Sequence, residues 1–338
     1  MRLLLLALPF LLPILEPLDA RANEITQRQT IQKAVASAFI NGRFDELDAM
    51  AHQFRTGRER TESGLWKLTI FYSSFNPETF YSNDDPASFD RFEAQALAWI
   101  KAKPTSPTAK IVYADALSKH AWFLRGGDYY NNLTDQQRSG YHKYLRKHRD
   151  HFLAIKEEAS EDPHWYALMV LVAKEEGWPD DAFYELLVEA ADREPYYYQT
   201  YFFAIDRNLP KWGGSVDEID ALITSATDRT RELDGHSFMA RAFWVASSYD
   251  PATLDTASLR ANWSDIAKGF QDLVSRYPDQ WNINAYAKFS CLAKDRTNFL
   301  IAYSQIKVRA MAEAWDFAGQ DVVCAGWAMR RERNIEAK

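Results

Sequence analysis

The chain has 338 residues, 47% hydrophobic and 26% charged, which is enough for a sizeable core in one large domain or two ordinary ones. A net charge of −7 with scattered basic residues argues against a nucleic-acid partner. The one basic run, His142–Arg149, reads as the solvated face of a helix.

In chain order, Arg2 and the apolar Leu3–Leu15 followed by Ala20-Arg21-Ala22 form a secretory signal pattern, with cleavage after Ala22. That makes residues 1–22 a signal peptide and residues 23–338 a single exported domain, periplasmic or secreted, divisible near 126–135. The apolar run is too short to span a bilayer and no later segment reaches that length, so no membrane insertion is expected after cleavage.

Helical spacing then recurs along the whole mature chain. Glu24–Ile40 and Phe44–Phe54 flank the Asn41-Gly42-Arg43 turn, and Thr61–Phe75 follows through Leu65, Leu68, Phe71 and Tyr72. Asn76–Ala87 reads as a loop, Ser88–Ala102 as a helix, and Pro104–Leu124 as a helix entered through Ser106-Pro107 and stopped at Arg125-Gly126-Gly127. A long helix spans Gln136–Glu158, and others start at Asp162-Pro163 and cover Asp180–Arg193.

Pro195–Ser215 is the most distinctive stretch. Pro195 opens a helix crowded with Tyr196, Tyr197, Tyr198, Tyr201, Phe202 and Phe203, which demands packing on more than one side. Pro210 stops it, Gly213-Gly214 turns the chain, and Ser215 with Glu218 has capping-box spacing. Trp212 reads as a plug between helix pairs, with a ligand lip as the competing role. Helices continue over Val216–Leu233, His236–Tyr249, Thr256–Tyr277, Trp281–Ala293, Asn298–Ala314 and Val322–Arg333, and no strand run is found.

Asp162-Pro163, Glu194-Pro195 and Tyr277-Pro278 each precede an aromatic-rich helix, and the first two lie 32 residues apart (195 − 163). Tetratricopeptide units use about 34 residues. The fold class is therefore all-α, an α-α superhelix of degenerate helix pairs with a concave surface. Cys291 and Cys324 form either one disulfide or two buried thiols, and an oxidising compartment permits the bridge.

Five stretches carry a resemblance. Asn41-Gly42-Arg43-Phe44-Asp45-Glu46-Leu47, Ser63-Gly64-Leu65-Trp66-Lys67-Leu68, Ala121-Trp122 with Arg125-Gly126, Leu209-Pro210-Lys211-Trp212-Gly213-Gly214-Ser215, and Asn284-Ala285-Tyr286-Ala287 with Cys291 resemble a bacterial family of tetratricopeptide-like proteins. That family is a domain of unknown function. The resemblance implies the fold and supplies no catalytic residues.

Chemistry is sparse. His148-x-x-His151 has i, i+3 spacing but no third ligand, so neither a metal nor a cofactor is implied. His120 and His236 read as structural histidines, and no phosphate-loop, nucleophile-elbow or zinc-protease motif is present. The reading is an exported helical-repeat scaffold that binds a protein or peptide on its concave surface. The alternative is an α/α carbohydrate-active or glycan-binding protein, suggested by 11 Trp, 17 Tyr and 20 Phe. The corners at Arg125 and at Trp212, Gly213 and Gly214 are the candidate binding residues. An aromatic-floored cleft with carboxylates would favour the glycan, and a broad apolar groove would favour a protein.

Overall fold

The computed structural model describes residues 24–81, 87–249, 263–307 and 310–330, and over these the protein is all-α. The signal pattern at 1–22 and the first part of the Thr256–Tyr277 helix lie outside the described residues. The helices are α1 (Glu24–Ile40), α2 (Phe44–Thr56), α3 (Lys67–Ser73), α4 (Pro77–Phe80), α5 (Ser88–Ala102), α6 (Pro107–Arg125), α7 (Asp135–Ala154), α8 (Lys156–Ala159) and α9 (Pro163–Glu175). They continue with α10 (Asp180–Arg193), α11 (Tyr198–Arg207), α12 (Val216–Asp234), α13 (Ser237–Tyr249), α14 (Trp263–Arg276), α15 (Gln280–Leu292), α16 (Arg296–Tyr303) and α17 (Gln320–Met329).

Short turns return each helix alongside its predecessor, so α5, α6 and α7 pack in sequence. From α9 onward the helices pair, with α9 packed on α11 and α11 on α13, while α10 and α12 flank that row. Sequence explains which helix takes which place. In α10 only Phe183, Leu186, Leu187, Ala190 and Ala191 are buried, a one-sided stripe. In α9 every residue from Pro163 to Val170 is buried, as its unbroken apolar run requires of a helix wrapped on all sides.

Several boundaries differ from the sequence reading. The helix expected over Thr61–Phe75 is confined to Lys67–Ser73, and Arg60 and Trp66 form an isolated antiparallel bridge across the preceding turn. Gly64 sets that turn with φ of +87°, and a Cβ there would come within 2.6 Å of Arg241 and of the Tyr277 ring. Asn298–Ala314 is helical only through Tyr303, with a 3₁₀ turn at Ala312–Ala314. The Gln136–Glu158 helix is broken at Ile155 into α7 and α8, and α11 starts at Tyr198 rather than at Pro195. The Asn76–Ala87 loop holds the single turn α4, capped by the Asn76 side chain.

The segment joining α2 to α3 runs across the starts of the inner helices. Arg55 meets Asp162 at 2.7 Å, Arg58 meets Glu194 at 2.8 Å and Arg60 meets Asp234 at 3.5 Å. These carboxylates precede α9, α11 and α13 in turn. Farther along, the Ser63 carbonyl accepts from Asn282 Nδ2 at 3.1 Å and from Arg241. The chain thus covers one end of its own inner row and gives three partly buried acidic residues their cationic partners.

Cys291 in α15 and Cys324 in α17 are joined in a disulfide with a Cα–Cα distance of 5.7 Å, which decides between the two readings of this pair.

Candidate functional site

Helices α3, α6, α9 and α11 enclose a cleft of about 870 Å³, within the range of small-molecule sites. Two helical faces supply half of its wall. On α6, Asp115, Ser118, Lys119 and Trp122 recur at helical spacing, and on α9 the same spacing presents His164, Leu168, Leu171 and Glu175. Tyr72 from α3 and Phe203 from α11 close the sides.

Trp122 is the hub. Its indole N–H donates to Glu175 Oε1 at 2.6 Å, and Ser118 Oγ donates to the same oxygen at 3.1 Å. The second oxygen of Glu175 faces His148 Nδ1 at 3.6 Å, an electrostatic contact too long for a hydrogen bond. Burial would raise the Glu175 carboxyl, but His148, the Trp122 N–H and Lys174 outweigh it and hold the group below the ordinary carboxylate range. Phe123, 41% exposed, stacks on Phe89 with ring centroids 4.4 Å apart and extends the aromatic wall to the surface.

Trp212 does not plug the core. It is 45% exposed and meets Trp122 edge-on at 6.4 Å, with Lys174 Nζ 5.0 Å from its ring centroid. The plug expectation fails because Pro210–Trp212 forms an exposed 3₁₀ turn instead of entering between helix pairs. Gly213 has φ of +94° and Gly214 lies so close to the Asn208 carbonyl that a Cβ would overlap it, so these two glycines set the turn that presents Trp212. Ser215 Oγ then accepts from the Glu218 N–H at 3.2 Å, although the Glu218 side chain returns to the Ser215 hydroxyl rather than to its backbone.

Arg125 supports the hub from behind. Its guanidinium lies 5.2 Å from the Trp122 ring centroid and donates to the carbonyls of Gly126 and Asp128 at 2.9 and 3.0 Å. Gly126 and Gly127 border the cleft. The two sequence corners, at Arg125 and at Trp212, are thereby brought to one indole.

The polar floor is built from charge-matched groups. Lys119 Nζ lies 2.5 Å from Asp115 and also donates to the Phe75 carbonyl, and Lys174 Nζ lies 2.6 Å from Asp206. His164, 5% exposed, stacks on Tyr72 with centroids 4.0 Å apart and shares a 2.8 Å hydrogen bond between Nδ1 and Tyr197 OH. Burial, with Lys119 beside it, holds His164 well below the usual histidine range, so the imidazole is neutral. Burial likewise raises Tyr72 and Tyr197 well above the ordinary phenol range.

The other candidates of the sequence lie elsewhere in function. His151 Nε2 pairs with the Lys110 carbonyl at 3.2 Å while His148 turns to Glu175, so the two do not converge. Among the described residues no three His, Cys, Asp or Glu side chains gather as metal ligands. His120 pairs with Glu93 and meets the Tyr144 ring at a tilt, with centroids 4.0 Å apart, and His236 pairs with Asp272 at 3.1 Å.

Sequence reasoning passed over Asp115, Lys119, His164, Lys174 and Glu175 as site residues. On α6 the signal was present as Asp115, Ser118 and Lys119 on the face that ends in Trp122, whereas on α9 the polar His164, Lys174 and Glu175 stand at opposite ends of an apolar run. No helix among the described residues is long and apolar enough to cross a membrane. No family model, no curated protein and no solved structure matches the chain.

Proposed function

We propose that this chain is an exported helical-repeat protein that binds a saccharide in the cleft between α3, α6, α9 and α11. One observation carries the reading. The cleft combines an aromatic wall, Tyr72, Trp122, Phe123 and Phe203, with two lysines, Lys119 and Lys174, each already paired to a carboxylate, and with the carboxylates of Glu78 and Glu175. A sugar ring has an apolar face that stacks on aromatic surface, and each of its hydroxyls both donates and accepts. Asp115 beside Lys119 and the amide of Gln199 offer both senses of hydrogen bond at close quarters. Trp212, edge-on to the lining Trp122, would extend the stacking surface beyond the cleft, which is the ligand-lip role.

Export rests on the pattern of residues 1–22, and the α-α superhelix of tetratricopeptide-like pairs is supported by the stacking of α9, α11 and α13. The protein-scaffold reading has a different support. Val322, Val323 and Met329 are 66%, 64% and 63% exposed on α17, an apolar stripe suited to a partner chain. Its concave-surface form is weakened by the α2–α3 segment, which occupies the starts of the inner helices.

A glycan array probed with the mature protein and with Trp212→Ala tests the proposal. Binding to a saccharide class that weakens about tenfold or more in the variant supports it. Binding untouched by Trp212→Ala but weakened about tenfold or more by Val323→Asp would move the site to α17.

A further inference from the structure

The floor of the cleft contains a hydrogen-bond chain of a particular kind, and the inference from it rests on the saccharide reading above. His164 is almost wholly buried, yet it lines the cleft. Its Nδ1 is held by Tyr197 OH at 2.8 Å, and its ring lies flat on Tyr72. Tyr197 is itself fully buried and has the Thr69 hydroxyl as its second polar neighbour. Nε2 has no hydrogen bond to any described residue and is not sealed from the cleft.

The His164–Tyr197 hydrogen bond can be made with the proton on either side. In the first arrangement Tyr197 donates to Nδ1, and Nε2–H points to the ligand. In the second, Nδ1–H donates to Tyr197, whose own proton turns toward Thr69, and the Nε2 lone pair faces the ligand. Each phenol, hydroxyl and imidazole remains neutral in both, and no heavy atom needs to move. Thr69 is half-buried and lines the cleft, so its hydroxyl is free to turn. His164 Nε2 therefore offers one hydrogen bond of either sense and no charge.

We propose that His164 Nε2 is the polar contact at the floor of the cleft and selects an uncharged hydroxyl-bearing group, a neutral sugar ring in preference to a uronate or an amino sugar. The neighbouring charges support the choice. Lys119 would attract a ligand carboxylate, but Asp115, 2.5 Å from Lys119 and lining the same cleft, repels it. A ligand ammonium meets the reverse. A ligand charge brought against the neutral His164 loses water without gaining a counter-charge from that ring, while a hydroxyl finds its partner whichever way it is turned; of the other lining carboxylates, Glu175 is already engaged by Trp122 and Ser118, and Glu78 is exposed to water.

Calorimetric titration with neutral, uronate and amino-sugar oligosaccharides of matched linkage tests this, alongside ¹⁵N NMR of the histidine rings. The neutral member should bind about tenfold or more tightly than either charged one. Its addition should shift the His164 Nε2 resonance. His164→Gln, which keeps a donor and an acceptor, should retain the preference, and His164→Ala should lose it. Uronate binding as tight as the neutral sugar, or a free-protein His164 that titrates at the ordinary histidine value, would overturn the assignment and leave the saccharide reading standing. Absence of binding by all three would sink both.

Discussion

Trp122 and Glu175 are joined at 2.6 Å from indole N–H to carboxylate, and this bond ties the aromatic wall of the cleft to its buried acid. It also explains how two distant loops come to share a site. Arg125 backs the same indole and Trp212 meets its edge, so the orientation of one side chain fixes both corners.

Trp212→Ala separates the roles of this tryptophan. A half-exposed ring should cost less than about 1 kcal/mol of stability when removed, against about 3–5 kcal/mol for a core indole. Thermal unfolding of the variant reads this directly. A melting temperature near wild type with weakened saccharide binding is the expected pair of results.

The arginines of the α2–α3 segment should differ sharply among themselves. Asp162 accepts from Arg55 and from Tyr72, each at 2.7 Å, and caps α9 through the His164 N–H. Asp162→Ala leaves these donors buried, and denaturant unfolding should show a loss of about 3–5 kcal/mol. Arg58, 60% exposed beside Glu194, should tolerate Ala at a cost within about 1 kcal/mol.

The Cys291–Cys324 bridge closes a separation of 33 residues and fastens α17 to α15. In the chain-entropy account its removal costs about 3–4 kcal/mol. Non-reducing mass analysis of the purified protein should find no free thiol, and Cys291→Ala/Cys324→Ala should melt earlier than wild type.

Acid should weaken the fold through His164. Its folded pKa lies well below the unfolded value of 6.5, because burial and Lys119 disfavour the imidazolium. The unfolded chain therefore binds the extra proton first as pH falls. Stability from this group is intact above about pH 6.5 and is lost progressively below it, down to the folded pKa. Denaturant midpoints measured between pH 8 and pH 5 should decline, and His164→Gln should flatten the decline. The pH endpoints here are roughly the range over which histidine titrates.

Much of this fold is legible in residue spacing. The α10 stripe of Phe183, Leu186, Leu187 and Ala190 is buried as its periodicity requires, and Ser106 and Ser215 cap the helices they precede. Thr61–Trp66 misleads because Leu65, Leu68, Phe71 and Tyr72 keep helical spacing through a segment that is not helical at its start. What holds that start in place is Arg241 and Asn282, far away in sequence, packed on the Ser63 carbonyl and on a glycine at positive φ. Local periodicity carries no information about such partners. The site is half legible for the same reason. The faces of α6 and α9 each display their polar residues in order, but only the packing of α9 between α6 and α11 sets His164, Lys119 and Trp122 around one cleft.

The most direct test of the central claim is where the ligand lands. Hydrogen–deuterium exchange with and without the tightest saccharide from the array should protect peptides of α3, α6, α9 and α11 and leave α17 unchanged. Protection confined to α17, or none at the cleft under saturating ligand, would contradict the assignment of the cleft as the binding site.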